Sequence, residues 1–559
     1  MLIQHSLLIQ EINALYTQPL ARAYLSDFPG VSRFFTCDPG QRKGFADRLL
    51  HLFEHRKDHL ASLAAALKQD NLLLGCGGAT LHNISLLAEG KAVAVVTGQQ
   101  PGVLTGPLYT VYKAMGAIKL AQRLAAEFNH PVIPVFWIGA DDHDYEEINH
   151  IFVPTAEGPK KIALAEKPAG RFSLGHLPIP REISLFFKQL EELTPPIGWQ
   201  QEGLALFKQT AQQSDNLAQW FGRLMTFLFK EYGLVLMNPL LPQIRKLSAN
   251  IFHRAISTAP AADRLLQRAC HEVAEAGFSP QVQSEEDKLH LFLYRNGQRT
   301  ALYWKNDRFC HREGLETWAK EELAQLSLSN PELFSPDVVL RPVVQEELLP
   351  VLAYVAGPGE IGYFALLKNI FQQFGHQMPV VYPRPNLALV EPLVEKLIKK
   401  YQIPQEQLAA DLGDFIHTYV EKTDEVGIEK LFDDFRSDLR EKHDYIVKEV
   451  ASIDPELTGL GKENLRRLLR VIESYEDKVK QRHRKNNQVA IRQLNKVNAM
   501  LHPLGQWQER VYNVFPYLMK YGPELIKEID QAVRPFVQEY MVDFLIEKVF
   551  TFSQKWNKI

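Results

Sequence analysis

At 559 residues the chain is too long for one hydrophobic core, and two to four structural units are expected. Hydrophobic residues make up 46% and charged residues 23%, values that exclude general disorder. With 63 basic and 66 acidic residues the formal net charge is −3, so nothing electrostatic favours nucleic acid or a membrane surface as the main partner.

In chain order, residues 1 to about 90 read as helices and connectors. The first twenty residues lack a basic n-region and a continuous apolar h-region, so no signal peptide is expected, and no run reaches the length of a membrane span. "AVAVVTG" (92–98) reads as a buried strand, 106–128 as a helix with Thr105 as N-cap and Pro107 in its first turn, and "PVIPVFWIGA" (131–140) as a second buried strand. Strand, helix and strand in so short a span predict a βαβ unit and a parallel sheet. An insertion is expected at about 155–230, a strand at 231–239, and a second insertion at about 245–335 with a hairpin turning on Asn296-Gly297. "DVVLRP" (337–342), 351–375 and 378–386 return to the strand and helix texture. The fold class is therefore α/β, with a core over 1–387.

From 388 to 505 the chain reads as a charged helical arm. Ile428, Phe432, Phe435, Leu439, Ile446 and Val450 lie near one stripe, and Leu465, Leu468, Ile472, Tyr475 and Val479 follow with coiled-coil spacing. The segment 506–559 is expected to pack back on the core. Cys37, Cys76, Cys270 and Cys310 form no CxxC pair and read as reduced thiols of a cytoplasmic protein.

Ligands of an open parallel sheet bind beyond the carboxyl ends of its strands. Four predicted strand ends carry more than a turn needs. The first is Gly98-Gln99-Gln100-Pro101-Gly102, leading to a helix start at Gly106, where free N–H groups suit an anion. Tyr109, Tyr112 and Lys113 follow on one helix face, and Lys113 is placed to reach a phosphate or carboxylate. The second end, after Trp137, is "GADDHDYEE". Asp141, Asp142, Asp144, Glu146 and Glu147 there need an amine, a cation or a hydrogen-bond network to offset their repulsion, and His143 among them is a candidate general base. "GPGE" (357–360) and Arg384 supply the remaining ends, with Arg341 and Gln345 nearby.

"VVTGQQPGVLTGPLYTVYK", "PVIPVFWIGADDHDYEEINH" and "LRPVVQEELLPVLAYVAGPGEIGYF" resemble, in order and spacing, the cysteine-adding enzymes of bacillithiol biosynthesis. The resemblance implies a Rossmann-like, nucleotidyltransferase-type core with connective insertions, and a homodimer through an α-helical coiled coil. It also implies a ligase forming the amide bond between L-cysteine and the amine of glucosaminyl malate. Carboxyl activation would use ATP or another nucleotide, with Mg2+ as its candidate companion. No zinc is expected, because no Cys/Cys/His cluster is present.

On this resemblance Tyr109 and Tyr112 stand where class I synthetase-type nucleotidyltransferases carry two histidines. Lys113, Asp142, His143 and Asp144 are assigned to the chemistry, with the base drawn from His143 or Asp144 and the cysteine ammonium held at Asp141 or Asp142. Gln99, Gln100, Tyr109, Tyr112, Trp137, Asp141, Arg341 and Gln345 are assigned to substrates, and Gly98, Gly106, Gly357, Gly359, Glu360 and Arg384 to the nucleotide. Two alternatives compete: a metal-dependent hydrolase built on the Asp141–Asp144 cluster, and a non-catalytic nucleotide-binding dimeric scaffold.

Overall fold

The computed structural model describes residues 8–11, 18–164, 170–311, 316–408 and 410–533. The rest of the segment expected to fold back, 534–559, lies outside the described residues. The chain divides into two compact units. One comprises Met1–Leu389 with Gln508–Ile559, the other Val390–Trp507.

The first unit is organised by a five-stranded parallel sheet of β1 (Val93–Gln99), β2 (Val132–Ile138), β3 (Val235–Met237), β4 (Val351–Ala356) and β5 (Val380–Pro383), in the order β5-β4-β1-β2-β3. The strands read as continuous apolar runs because both faces are covered. Val93 and Val95 point to one side, against Ala117, Leu120, Ala121 and Leu124 of helix α1 (Leu108–Phe128). Ala94 and Val96 point to the other, into a larger cluster with Trp137, Tyr354 and Phe364. Each fully buried Val or Leu contributes about 1.5–3 kcal/mol. Successive strands run outward from β1 through β2 to β3, then resume at β4 on the other side of β1. The order reverses between β1 and β4, where an open sheet parts its flanking loops into a crevice.

Two expectations change. Residues 337–342 are not a strand: Asp337 Oδ1 accepts from the N–H groups of Val339 and Leu340, making a turn into helix α2 (Arg341–Leu348). Such local bonding lets Asp override a β-branched pair. The strand there is Phe334–Pro336, which edges an antiparallel sheet with Lys288–Arg295, Gln298–Lys305, Arg308–His311 and Thr317–Trp318. The expected hairpin lies in this sheet, with Asn296 and Gly297 both at positive φ (48° and 75°) as a tight twisted turn requires. Nor is Thr105 the N-cap of α1. The cap is Pro107, and Leu104, Thr105 and Gly106 all take positive φ (48°, 69° and 72°).

That strained turn is held by the returning segment. Asn513 Nδ2 donates to the carbonyls of Leu104 and Gly106, each at 2.6 Å, and Leu108 N donates to Tyr512 O at 2.8 Å. Glu509 forms a buried ion pair with Arg384 at 2.5 Å, and Gln508 exchanges two hydrogen bonds with the backbone of Leu389.

In the second unit, helices Ile428–Val450 and Leu457–Asn486 pair through a small core of Ile428, Phe432 and Ile472, with Leu439 and Val479 against it. Phe435, Ile446 and Tyr475 of the predicted stripes stay exposed at 54%, 56% and 63%.

Asn513→Ala leaves two buried carbonyls without a donor and is expected to cost about 1–3 kcal/mol for each. Asn513→Asp is expected to cost more, since a carboxylate would face both oxygens. Denaturant unfolding of the whole protein measures this, and an unchanged midpoint would show that the segment does not hold the turn.

Candidate functional site

Lys113 lies in the second turn of α1, four residues after Tyr109 and on the same face. Its ammonium turns back over the end of β1. It donates to Gly98 O at 2.9 Å and Gln99 Oε1 at 3.0 Å, and pairs with Glu360 Oε2 at 2.6 Å. Burial lowers its pKa, and the neighbouring Glu360 carboxylate opposes that shift. Glu360 sits at the third position of helix α3 (Pro358–Phe364), just past β4. The oxygen that meets Lys113 also accepts from Gly357 N at 2.7 Å, and the other accepts from Tyr354 OH at 2.8 Å. The ends of β1 and β4 are thus joined across the point where strand order reverses.

The network continues toward β2. Gln99 Nε2 reaches Gln100 Oε1 at 3.2 Å and Tyr109 OH at 3.3 Å. Gln100 Nε2 donates to Asp142 Oδ2 at 2.8 Å and to Glu147 Oε2 at 2.7 Å. Asp142 Oδ1 accepts from His143 N at 2.7 Å, and His143 Nδ1 lies 3.2 Å from Arg299 Nη1. Lys113, His143 and Glu360 therefore belong to one connected polar surface.

Burial pushes the Asp142 carboxyl up, but the Arg341 and Arg299 guanidiniums and the Gln100 hydrogen bond outweigh it, and its pKa falls below the ordinary value. Glu147, on the same amide, is raised by burial. His143 is lowered, first by burial and then by Arg299. Burial pushes Tyr109 up to about 12, so its hydroxyl stays protonated. Burial acts to lower Arg341, but the charges of Asp142 and other acidic groups raise it overall, holding it cationic beside the acids. His143, Asp144, Glu146, Arg171 and Phe172 line a cleft of about 200 Å³.

Gln99, Gln100, Tyr109, Lys113, Asp142, His143, Gly357 and Glu360 meet in this network, the Arg341 charge acts on Lys113 and Asp142, and Asp144 and Gly359 adjoin the network in sequence. Other assigned residues are placed differently. Asp141 is 1% exposed and pairs with buried Arg245 at 2.8 Å, so it is not placed to hold a substrate ammonium. Tyr112 is wholly buried, its hydroxyl without a partner among the described residues, because it points away from the Tyr109–Lys113 face. Trp137 and Gln345 are buried. Gly98 answers a packing need: a Cβ there would lie 2.7 Å from Trp137 O. Arg384, assigned to the nucleotide, is instead buried and paired with Glu509, next to the Tyr109 ring at 5.7 Å from the centroid.

The phosphate cradle expected at Gly106 is also revised. Leu108 N is taken by Tyr512 O, Thr110 N by Pro107 O, and the Gly106 carbonyl by Asn513. The end of β4 is the more open of the two. Gly359 is exposed, with open space where a Cβ would stand, and Lys113 and the Arg341 charge flank the same crevice. The acids do not converge as a metal hydrolase would need. Asp141 turns inward, and among the described residues no three His, Cys, Asp or Glu side chains are grouped to hold a metal ion. Arg299 and Arg245, which position His143 and Asp141, were missed by sequence reading. They lie 156 and 104 residues from those partners, and only the folded sheets bring them close.

Asp141→Asn is expected to destabilise the protein by about 3–5 kcal/mol, because it leaves Arg245 buried without its counter-charge. Asp142→Asn is expected to change stability by no more than about 1 kcal/mol, since its surroundings are partly open. Chemical denaturation of the two variants measures the contrast. Equal losses would place both acids in the same role.

Comparison with known proteins agrees with this architecture. Residues 7–385 match the family described as "Bacillithiol biosynthesis BshC, N-terminal Rossmann-like domain", and residues 387–545 match "Bacillithiol biosynthesis BshC, C-terminal coiled-coil domain". A relative from Desulforamulus reducens, named "Putative cysteine ligase BshC", is 57% identical over 522 residues, covering 93% of this chain and 96% of the relative. Relatives of the same name from Symbiobacterium thermophilum and Carboxydothermus hydrogenoformans are 37% and 34% identical, each again covering 93% of this chain and 96% of the relative. With a Rossmann-like parallel sheet, a helical second unit and matches across nearly its whole length, the chain belongs to the bacillithiol-biosynthesis BshC family.

Proposed function

We propose that this protein is a ligase that joins the carboxyl group of L-cysteine to the amine of glucosaminyl malate, forming the amide bond of bacillithiol with the help of ATP or another nucleotide. One observation carries the reading beyond family membership. An unbroken polar network runs from Glu360 through Lys113, Gln99 and Gln100 to Asp142 and His143, across the crevice of a parallel sheet. It holds the Lys113 ammonium, paired with Glu360, toward one side and the Asp142 carboxylate toward the other, charges that suit an anionic carboxyl and an amine.

A carboxylate does not condense with an amine in water, because hydroxide-like oxygen is a poor leaving group. The nucleotide co-substrate supplies a phosphate-linked leaving group, and Mg2+ would travel with its phosphates. Gly357, Gly359, Arg341 and Lys113 are the residues suited to its charge. Asp142, held ionised, is the residue suited to the substrate ammonium, and exposed Asp144 is suited to take the proton the amine gives up.

A homodimer is part of the proposal. Phe435, Tyr445, Ile446, Val471 and Tyr475 leave more large apolar side chains exposed on the helical arm than a lone hairpin accounts for. A cytoplasmic setting suits the four cysteines, which are all unpaired.

Purified protein incubated with cysteine and glucosaminyl malate should yield bacillithiol by mass spectrometry only when nucleotide and magnesium are present. Product without nucleotide would remove the activation step, and no product under any condition would remove the proposal. Lys113→Met should lower kcat/KM by about 100-fold or more, in line with loss of a buried charged donor. Light scattering should give a mass of two chains, falling to one in the Phe435→Glu/Tyr475→Glu variant. A monomeric parent protein would exclude the dimer.

A further inference from the structure

His143 lines the cleft beside Asp144 and Arg171 as a histidine whose two nitrogens are not equivalent. Arg299 comes from the hairpin strand Gln298–Lys305 and approaches Nδ1 to 3.2 Å. A guanidinium has five N–H donors and no acceptor, so Nδ1 can only be the acceptor in this pair. A neutral imidazole carries one proton, which is then on Nε2. Arg299 is itself fixed: Nε donates to Ser335 Oγ at 2.8 Å, Nη2 donates to Pro336 O at 2.6 Å, and the group lies over the Phe292 ring at 3.8 Å from the centroid. The same Phe292 ring stands 6.0 Å from the His143 ring. The cation therefore cannot swing away to let Nδ1 take a proton without breaking bonds that anchor it.

We infer that His143 acts in the proposed ligation as a neutral hydrogen-bond donor through Nε2, not as the general base, and that Arg299 is the positioning residue that sets this tautomer. The inference rests on the ligase reading and deepens it. A base needs a lone pair facing the proton it removes, and here the lone pair on Nδ1 is occupied by Arg299. The nitrogen left for the cleft that His143 lines carries a proton.

Such a donor suits the oxygen of the cysteine carbonyl. When the amine nitrogen attacks the activated carboxyl carbon, the C–N bond forms and the carbonyl electron pair moves onto oxygen, where the Nε2–H bond stabilises it. That pair then returns, the C–O bond to the phosphate-linked leaving group breaks, and the leaving group departs with its electrons. The ammonium proton passes to Asp144 or to water. His143 ends as it began, neutral and with the same proton.

The surrounding charges agree. Burial and Arg299 lower the His143 pKa, Arg171 lowers it further, and Asp142 and Asp144 oppose them, with the net shift downward. The ring is thus neutral at physiological pH, with its one proton on Nε2.

The test uses the full-length protein and compares three side chains at position 143 in bacillithiol formation. Glutamine offers an N–H near the position of Nε2–H but cannot serve as a base. His143→Gln should keep kcat within about tenfold of the parent, whereas His143→Ala should lose roughly 100- to 1,000-fold, as when an oxyanion donor is removed. His143→Glu, which can accept a proton but not donate when ionised, should be as poor as alanine. If glutamine is as poor as alanine while glutamate retains activity, His143 is the base and the inference falls. If all three match the parent, His143 has no part in the reaction and it falls equally.

A second measurement does not depend on turnover. The 15N spectrum of histidine-labelled protein, with His143 assigned by difference from His143→Gln, should show protonated Nε2 and bare Nδ1. The opposite tautomer would overturn the inference even if no product forms. Failure of the ligase reading would instead appear as absent product in the parent protein. For Arg299, the readout is the pH at which the same 15N spectrum shows His143 gaining its second proton. Arg299→Met removes a repelling charge, so the His143 titration moves to higher pH. Arg299→Lys keeps the charge and should hold the titration near its parent position. A tautomer and a titration both unmoved in Arg299→Met would deny Arg299 the positioning role.

Discussion

The buried ammonium of Lys113 is the constraint on which the crevice depends. Taking a charged amine out of water is unfavourable unless acceptors replace the lost hydration. Three do so here: the Gly98 carbonyl, the Gln99 amide oxygen and the Glu360 carboxylate. Two belong to the end of β1 and one to the helix after β4, so the cation is satisfied only while those strand ends stay together. The close approach of β1 to β2 at Gly98, where a side chain would strike the Trp137 carbonyl, serves the same geometry. The pairing of Lys113 with Glu360 also ties the end of β1 to the start of α3.

The acidic loop after β2 divides its labour by depth. Asp141 points inward to Arg245 and fastens the loop to the core, while Asp142 stays at the rim with Gln100 and within the fields of Arg341 and Arg299. Gln100 donates to both Asp142 and Glu147, yet their pKa values are displaced in opposite directions. Two carboxylates on one amide, one held ionised and one more readily protonated, are suited to different tasks: the first to hold a cation, the second to exchange a proton.

Much of the fold could be read from the chain because it rests on local pattern. The β-branched runs 92–98 and 131–140 are strands since both faces are buried, and Asn296-Gly297 turns since both residues tolerate positive φ. Reading failed where a side chain competed with the backbone, as at Asp337, or where two residues seemed to share a face. Tyr109 and Lys113 do share one, but Tyr112 falls 100° short of Lys113 around the helix and drops into the core. The site was legible at its strand ends. The partners of those residues were not: Arg245, Arg299, Glu509 and Asn513 reach it from distant segments, and nothing local distinguishes such an arginine or asparagine from one at the surface.

Asn513 has a further consequence. Its bonds to the carbonyls of Leu104 and Gly106 span 409 and 407 residues of chain. During translation the sheet strands emerge from the ribosome long before this residue does. The turn that leads into the Lys113 helix must wait, its carbonyls bonded to water, until about 400 further residues have been made. A message cut short upstream of that codon yields a sheet without the clasp that shapes its entrance, so a fragment holding every strand of the sheet still lacks its finished turn.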